Sequence, residues 1–269
     1  MAEKRRMCPQ CRAFISSGDR ICPYCGEPVA PRAVDRRNAG EMVMGFIPNA
    51  RFATFVLVLV NLALFAGGLM NGDRLLFEAG GETGAAVIGY RQWYRLITAG
   101  YLHAGWLHIL MNMWVLFDLG AQVEEVYGPA RYFVLYTLAT AGGFFASAYL
   151  NPMSPSVGAS AGLFGLIGAM IALGVRNRNA MGQSIRAVYI RWAIYGLLFG
   201  LLPGINNTAH LGGLAAGFVA AYLAGTPGPV RSSSEQAWRV AAGICLMLTA
   251  YCFYQMYLHI PRVVSGLPQ

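Results

Sequence analysis

From residue 52 onward, apolar runs alternate with short polar breaks, and each run has roughly the length that carries a helix across the hydrocarbon core of a bilayer. The runs fall at about 52–70, 103–121, 131–150, 158–175, 187–203, 209–225 and 238–258. Seven transmembrane helices are expected. Before them, residues 1–30 form one small polar unit and 31–50 a linker containing Pro, Arg and Gly. The longest break, 71–100, carries Gly80, Gly81, Gly84 and Gly89 beside Tyr90, Trp93 and Tyr94. Such amphipathic rings favour the headgroup level, so this loop is expected to lie against the membrane surface.

Composition agrees with lipid as the solvent: 56% of residues are hydrophobic and 12% are charged. Net charge is +8, and its placement matters more than its size. With Lys4, Arg5, Arg6, Arg12, Arg20, Arg32, Arg36, Arg37 and Arg51 in the cytoplasm, alternation of the spans also places Arg131, Arg176, Arg178, Arg186, Arg191, Arg231 and Arg239 there. Only Arg74, Arg91, Arg95 and Arg262 then face outward. The positive-inside rule thus predicts a cytoplasmic N-terminus and an external C-terminus, and explains the charge without a nucleic-acid partner. No cleavable signal peptide is expected, because the first span can itself direct insertion.

Cys8-Pro-Gln-Cys11 and Cys22-Pro-Tyr-Cys25 form two C-x2-C pairs ten residues apart. Paired thiolates on tight turns suit a tetrahedral zinc ion, and so short a unit lacks a core to fold around otherwise. Two disulfides are disfavoured in a reducing compartment. Structural zinc on Cys8, Cys11, Cys22 and Cys25 is expected ahead of a redox pair or an iron site, with a structural or protein-contact role for the unit. Cys245 and Cys252, on one face of the last span, read as small apolar packing residues.

Polar residues at membrane depth are costly, so each asks for a function. The second span carries His103, His108 and Asn112, the fourth Ser160, and the sixth Asn206, Asn207 and His210, all mapping to the outer half of the bilayer. Gly158-Ala-Ser160-Ala-Gly162 matches the G-x-S-x-G of soluble hydrolases, but two prolines precede it where that motif needs a strand. Alone, a serine among Gly and Ala reads as a packing residue. However, the fourth and sixth spans run in the same direction and both are lined with small residues, so Ser160 and His210 can meet. A histidine in reach activates a serine hydroxyl. With no acidic residue at that depth, a Ser160–His210 dyad is expected, with His108, Asn112 and the Ser160 N–H as oxyanion donors. Charges at the midplane of repeated halves, as a transporter would need, are not evident.

The strings WYRLITAGYLHAGWLHILMNMW, VEEVYGPARY, GASAGLFG and AHLGGLAAG resemble, in order and spacing over roughly residues 50–225, the signatures of rhomboid intramembrane serine proteases. The resemblance implies an all-α polytopic membrane fold, with a six-helix core at 51–226 around a water-filled cavity open to the outside. A cytoplasmic linker and seventh helix at 227–269 and the zinc ribbon at 1–30 would be additions to that core. It implies Ser160 as nucleophile, His210 as base, and His108 and Asn112 as oxyanion donors. His103, Trp93 and Arg95 would support the site from positions in and after the outer loop, and Glu124 would be a structural acid after the second span. Implied substrates are single-span membrane proteins cut without a catalytic cofactor, in what is expected to be a bacterial plasma membrane. A helix-binding or quality-control protein without protease activity is the alternative on the same fold.

Overall fold

The computed structural model describes residues 5–8, 10, 11, 13–16, 19–29, 51–225 and 233–265. The expected linker at 31–50 and residues 226–232, where the expected core ends and the second linker begins, lie outside these. The chain divides into two compact units, Met1–Asn49 and Ala50–Gln269.

In the small unit, β1 (Arg5–Met7) pairs antiparallel with β2 (Phe14–Ser16), with Met7 opposite Phe14. The connection carries Cys8 and Cys11. Cys22 to Cys25 form a second tight turn, closed where Gly26, at φ +74°, donates its N–H to the Cys22 carbonyl at 2.9 Å. Among its described residues, Cys8, Ile15, Cys22 and Val29 form the buried apolar cluster. A cluster that small leaves folding dependent on a cross-link.

The membrane unit begins with α1 (Phe52–Asn71), followed in the long loop by α2 (Asp73–Gly80) and the single turn α3 (Arg95–Thr98). Then come α4 (Trp106–Val115), a π-helical turn (Leu116–Gly120) and α5 (Ala121–Leu150). The bundle closes with α6 (Ser160–Arg176), α7 (Ala180–Phe199), α8 (Asn207–Ala224) and α9 (Ser233–Val264). The continuous stretch Trp106–Leu150 is two spans folded back at Gly128, where φ +74° and ψ 161° break the helix just before Pro129. The described residues therefore contain seven spans, and the fold is an all-α polytopic membrane protein of six core helices plus a seventh. Phe52–Met70, Trp106–Leu150 and Ser233–Val264 are long and apolar enough to cross by composition alone. In contrast, α6 is shorter and almost wholly buried by its neighbours.

Boundaries depart from expectation in three places. The loop expected between the second and third spans is reduced to the Gly128 break. His103 precedes the second helix instead of lying within it. The fifth helix starts early because Asn179 caps it, accepting the Gly182 N–H at 2.8 Å, which leaves Arg186 and Arg191 exposed along the helix. Their long stems can carry the charge toward an interface.

α6 is the axis of the bundle, packed on α5, α7 and α8. Against α8 the helices meet backbone to backbone: a Cβ on Gly213 would strike the Ala161 carbonyl, and one on Gly217 the Gly165 carbonyl. Small residues supply the close contact that lipid cannot drive. Outward positions such as Leu59, Phe117, Tyr195 and Leu223 are large, apolar and exposed. At the bundle end away from Ser160, buried Arg131 pairs with Glu235 of α9 at 2.6 Å and lies over the Trp238 ring. It also donates to the carbonyls of Ala224 and Gly225, tying the seventh helix to the core.

Candidate active site

Ser160 is the first residue of α6, and His210 lies in the first turn of α8. The α6–α8 seam brings the two together, with Ser160 Oγ 2.9 Å from His210 Nε2. The imidazole is stacked on Phe164, one turn below the serine, with ring centroids 4.3 Å apart. His210 is buried and Ser160 half-buried.

The other ring nitrogen settles the tautomer. His210 Nδ1 is 3.1 Å from Asn207 Oδ1, while Asn207 Nδ2 donates to the Leu197 carbonyl at 3.1 Å. The amide oxygen must therefore accept, so Nδ1 carries the proton and Nε2 presents its lone pair to the serine hydroxyl. Gly200 leaves room for this amide, since a Cβ there would overlap it. The sequence reading left His210 without a third group. Asn207 fills that place with a neutral acceptor, and its position one turn before His210 on the same face was the available signal.

His108 faces the turn that enters α6. Its Nδ1 accepts the Ala104 N–H at 3.2 Å, so its proton sits on Nε2. A Cβ on Gly158 would stand 2.5 Å from that nitrogen, and Gly158 holds φ +122°, so glycine is required there twice over. Asn112, one turn along α4, donates to the His108 carbonyl at 2.8 Å, leaving its second amide hydrogen uncommitted by that bond. The Ser160 N–H, at a helix start, has no intrahelical acceptor. His103 Nε2 accepts the Ala159 N–H at 3.4 Å and its ring meets His108 edge-on at 5.1 Å. His108, His103 and His210 thus converge on Gly158, Ala159 and Ser160 in turn.

The four cysteines of the small unit could hold a metal. Their sulfurs all lie within 4.8 Å of one another, with Cys8–Cys25 and Cys11–Cys22 at 3.7 Å. That is far beyond a disulfide bond. It matches the edge of about 3.8 Å for a tetrahedron with metal–sulfur bonds of about 2.3 Å.

The family model described as the Rhomboid domain matches residues 90–227, about half of the chain, and spans every element of this site. The chain belongs to the rhomboid family. It is 31% identical over 214 residues to Rhomboid protease GluP of Bacillus subtilis, covering 77% of this chain and 41% of that protein. It is 37% identical over 139 residues to RHOMBOID-like protein 6, mitochondrial, of Arabidopsis thaliana, covering 51% and 45% respectively. Over 141 residues it is 34% identical to Inactive RHOMBOID-like protein 8 of the same plant, covering 51% and 40%. The chain spans less than half the length of these relatives.

Within this rhomboid domain the remaining predicted residues play different parts. Arg95 is buried and staples the long loop, donating to Gln92 Oε1 at 2.6 Å and to the Gly81 and Glu78 carbonyls at 2.7 Å each. Trp93 is half-exposed and is not gathered into the site. Glu124 lies away from it: its carboxylate accepts from the Ala53 and Thr54 N–H groups and the Thr54 hydroxyl at 2.7–2.9 Å, closing the start of α1. Glu82, Ser147 and Asn206 form a buried polar chain that sequence reasoning did not assemble. Ser147 donates to Glu82 Oε2 at 2.8 Å, and Asn206 Nδ2 donates to Ser147 at 2.7 Å.

Proposed function

We propose that this rhomboid is an intramembrane serine endopeptidase acting on the transmembrane helices of other proteins. The Ser160–His210–Asn207 arrangement carries the reading. Ser160 Oγ attacks the scissile carbonyl carbon while His210 Nε2 takes its proton, and the resulting imidazolium keeps its Nδ1–H on Asn207. The oxyanion is held by His108 Nε2–H, the Ser160 N–H and Asn112. One such donor is worth about 2.7–4 kcal/mol of barrier. Collapse breaks the C–N bond, with His210 returning the proton to the leaving amine. Water, deprotonated by the same nitrogen, then hydrolyses the acyl-serine and frees the second product.

In this reading Ser160 faces the outside of a bacterial plasma membrane, the N-terminal unit is cytoplasmic, and the C-terminus is external. Zinc on Cys8, Cys11, Cys22 and Cys25 is structural, and the ribbon is a contact surface for a cytoplasmic protein. No cofactor enters the reaction.

The relative named inactive favours one other reading, a helix-binding protein without protease activity. Purified protein in liposomes with a fluorescent transmembrane substrate separates the two. The wild type should cut, and Ser160→Ala and His210→Ala should fall to background. Either variant cutting as well as wild type removes the dyad, and an inert wild type leaves the binding role.

A further inference from the structure

Glu82 sits in the long loop, wholly buried, and is linked to both segments that carry the reactive pair, directly to the turn before Ser160 and through Ser147 to the start of α8. Its backbone forms an isolated antiparallel bridge with Ser156: Glu82 N–H to the Ser156 carbonyl at 3.0 Å, and Ser156 N–H to the Glu82 carbonyl at 2.9 Å. Two residues on, Gly158 donates to Ala99 at 2.9 Å, so the turn into Ser160 hangs from the loop. The side chain reaches the other way. Through Ser147 it bonds to Asn206, whose Oδ1 accepts the N–H groups of Thr208 and Ala209 and so caps α8 one turn before His210. The backbone of one residue holds the nucleophile's turn, and its carboxyl holds the base's helix.

The hydrogens along this chain can be assigned. Asn206 donates, Ser147 accepts from it and passes its own hydrogen to Glu82 Oε2. Glu82 Oε1 is buried and, among the described residues, unpartnered. Charged and titratable groups stand on the surrounding elements: Glu78 on α2, which pairs with Arg74; Arg95 on α3, which bonds to the Gly81 carbonyl; His210 on α8; and His259 on α9, beside Tyr94. None of them forms a hydrogen bond or ion pair with the Glu82 carboxyl among the described residues. A charged carboxylate here would have a single hydroxyl for compensation, whereas a neutral acid carries no charge to compensate.

Resting on the proposed protease activity, we infer that Glu82 is a positioning residue for that reaction, which in its neutral form locks the Ser160 turn and the His210 helix into register through Ser147 and Asn206. Burial pushes its pKa up from 4.5 to about 7, with the Ser147 bond pulling the other way. The sign follows from a raised carboxyl. Its stabilising contribution is complete below about 4.5 and lost as pH rises through about 7. Activity should therefore decline on the alkaline side of neutrality.

The test measures kcat, KM and the labelling rate of Ser160 by a fluorophosphonate from pH 5.5 to 9, in liposomes, for wild type, Glu82→Gln, Glu82→Ala and Ser147→Ala. Glutamine mimics the neutral acid. It should keep kcat within about threefold at pH 6.5 and abolish the alkaline decline. Glu82→Ala and Ser147→Ala should lose tenfold or more in kcat and labelling with KM little changed. If Glu82→Ala fails to fold, Glu82→Gln and Ser147→Ala still decide. An alkaline limb unchanged in Glu82→Gln, or full kcat in Ser147→Ala, overturns the inference. A wild type that neither cuts nor labels overturns the protease reading beneath it.

Discussion

Replacing Asn207 by alanine removes the acceptor from the far side of the imidazole. In the ground state the lost bond is neutral, and its net worth is about 1 kcal/mol. During attack His210 becomes an imidazolium, and the same 3.1 Å contact becomes charge-assisted, worth about 1.5–3 kcal/mol. Only the difference of about 0.5–2 kcal/mol acts on kcat, and at about 1.36 kcal/mol per decade kcat should fall by about 2- to 30-fold. The variant also loses the bond from Asn207 to Leu197 that links α8 to α7, a further cost of about 1 kcal/mol that the fold should survive. Cleavage of a fluorescent transmembrane peptide in liposomes gives kcat, and fluorophosphonate labelling of Ser160 reads the serine–histidine pair without the substrate. Both should drop together while the thermal midpoint moves by a few degrees. An Asn207→Ala protein with kcat and labelling equal to those of wild type would show that the imidazole is oriented by its stacking on Phe164 and not by the amide.

Gly158→Ala drives a methyl group to 2.5 Å from His108 Nε2 at a backbone angle of φ +122°, so kcat should fall by about 100-fold or more while Ser160 and His210 remain in place. Wild-type turnover in that variant would remove His108 from oxyanion binding. For the small unit, about one zinc per chain is expected by elemental analysis, lost in Cys8→Ser with cleavage retained at least in part. Metal-free purified protein with reduced, unmodified thiols would refute the site.

What was legible in the sequence was carried by local spacing. The cysteine pairs, the one-turn separation of His108 and Asn112 and the small-residue stripes of α6 and α8 are each a few residues long, and each survives in the structure as an adjacency. Asn207 was visible as a polar residue, but its role depends on which way its amide points, and that is set by Leu197 on another helix. Glu82 was not legible at all. Its partner lies 65 residues away on α5, and Asn206 lies 59 residues beyond that. A loop without periodicity gives no face on which to place a carboxyl. The misplaced start of α7 has a similar origin: charged Arg178 and Arg186 read as a loop, yet the Asn179 cap sets the helix.

The α6–α8 seam has a consequence for how this molecule can fail. Its closest approaches, Gly213 on Ala161 and Gly217 on Gly165, are between backbones, with no side chain there to deform by degrees. The spacing of the two helices is therefore hard to alter by degrees, and mild heating, thinner bilayers or cavity-making changes outside the polar chain of Glu82, Ser147 and Asn206 should leave turnover of the intact fraction unaltered. Loss of function should be all-or-none in each molecule. In a population, the fraction of molecules that label at Ser160 should shrink while the survivors work at full speed.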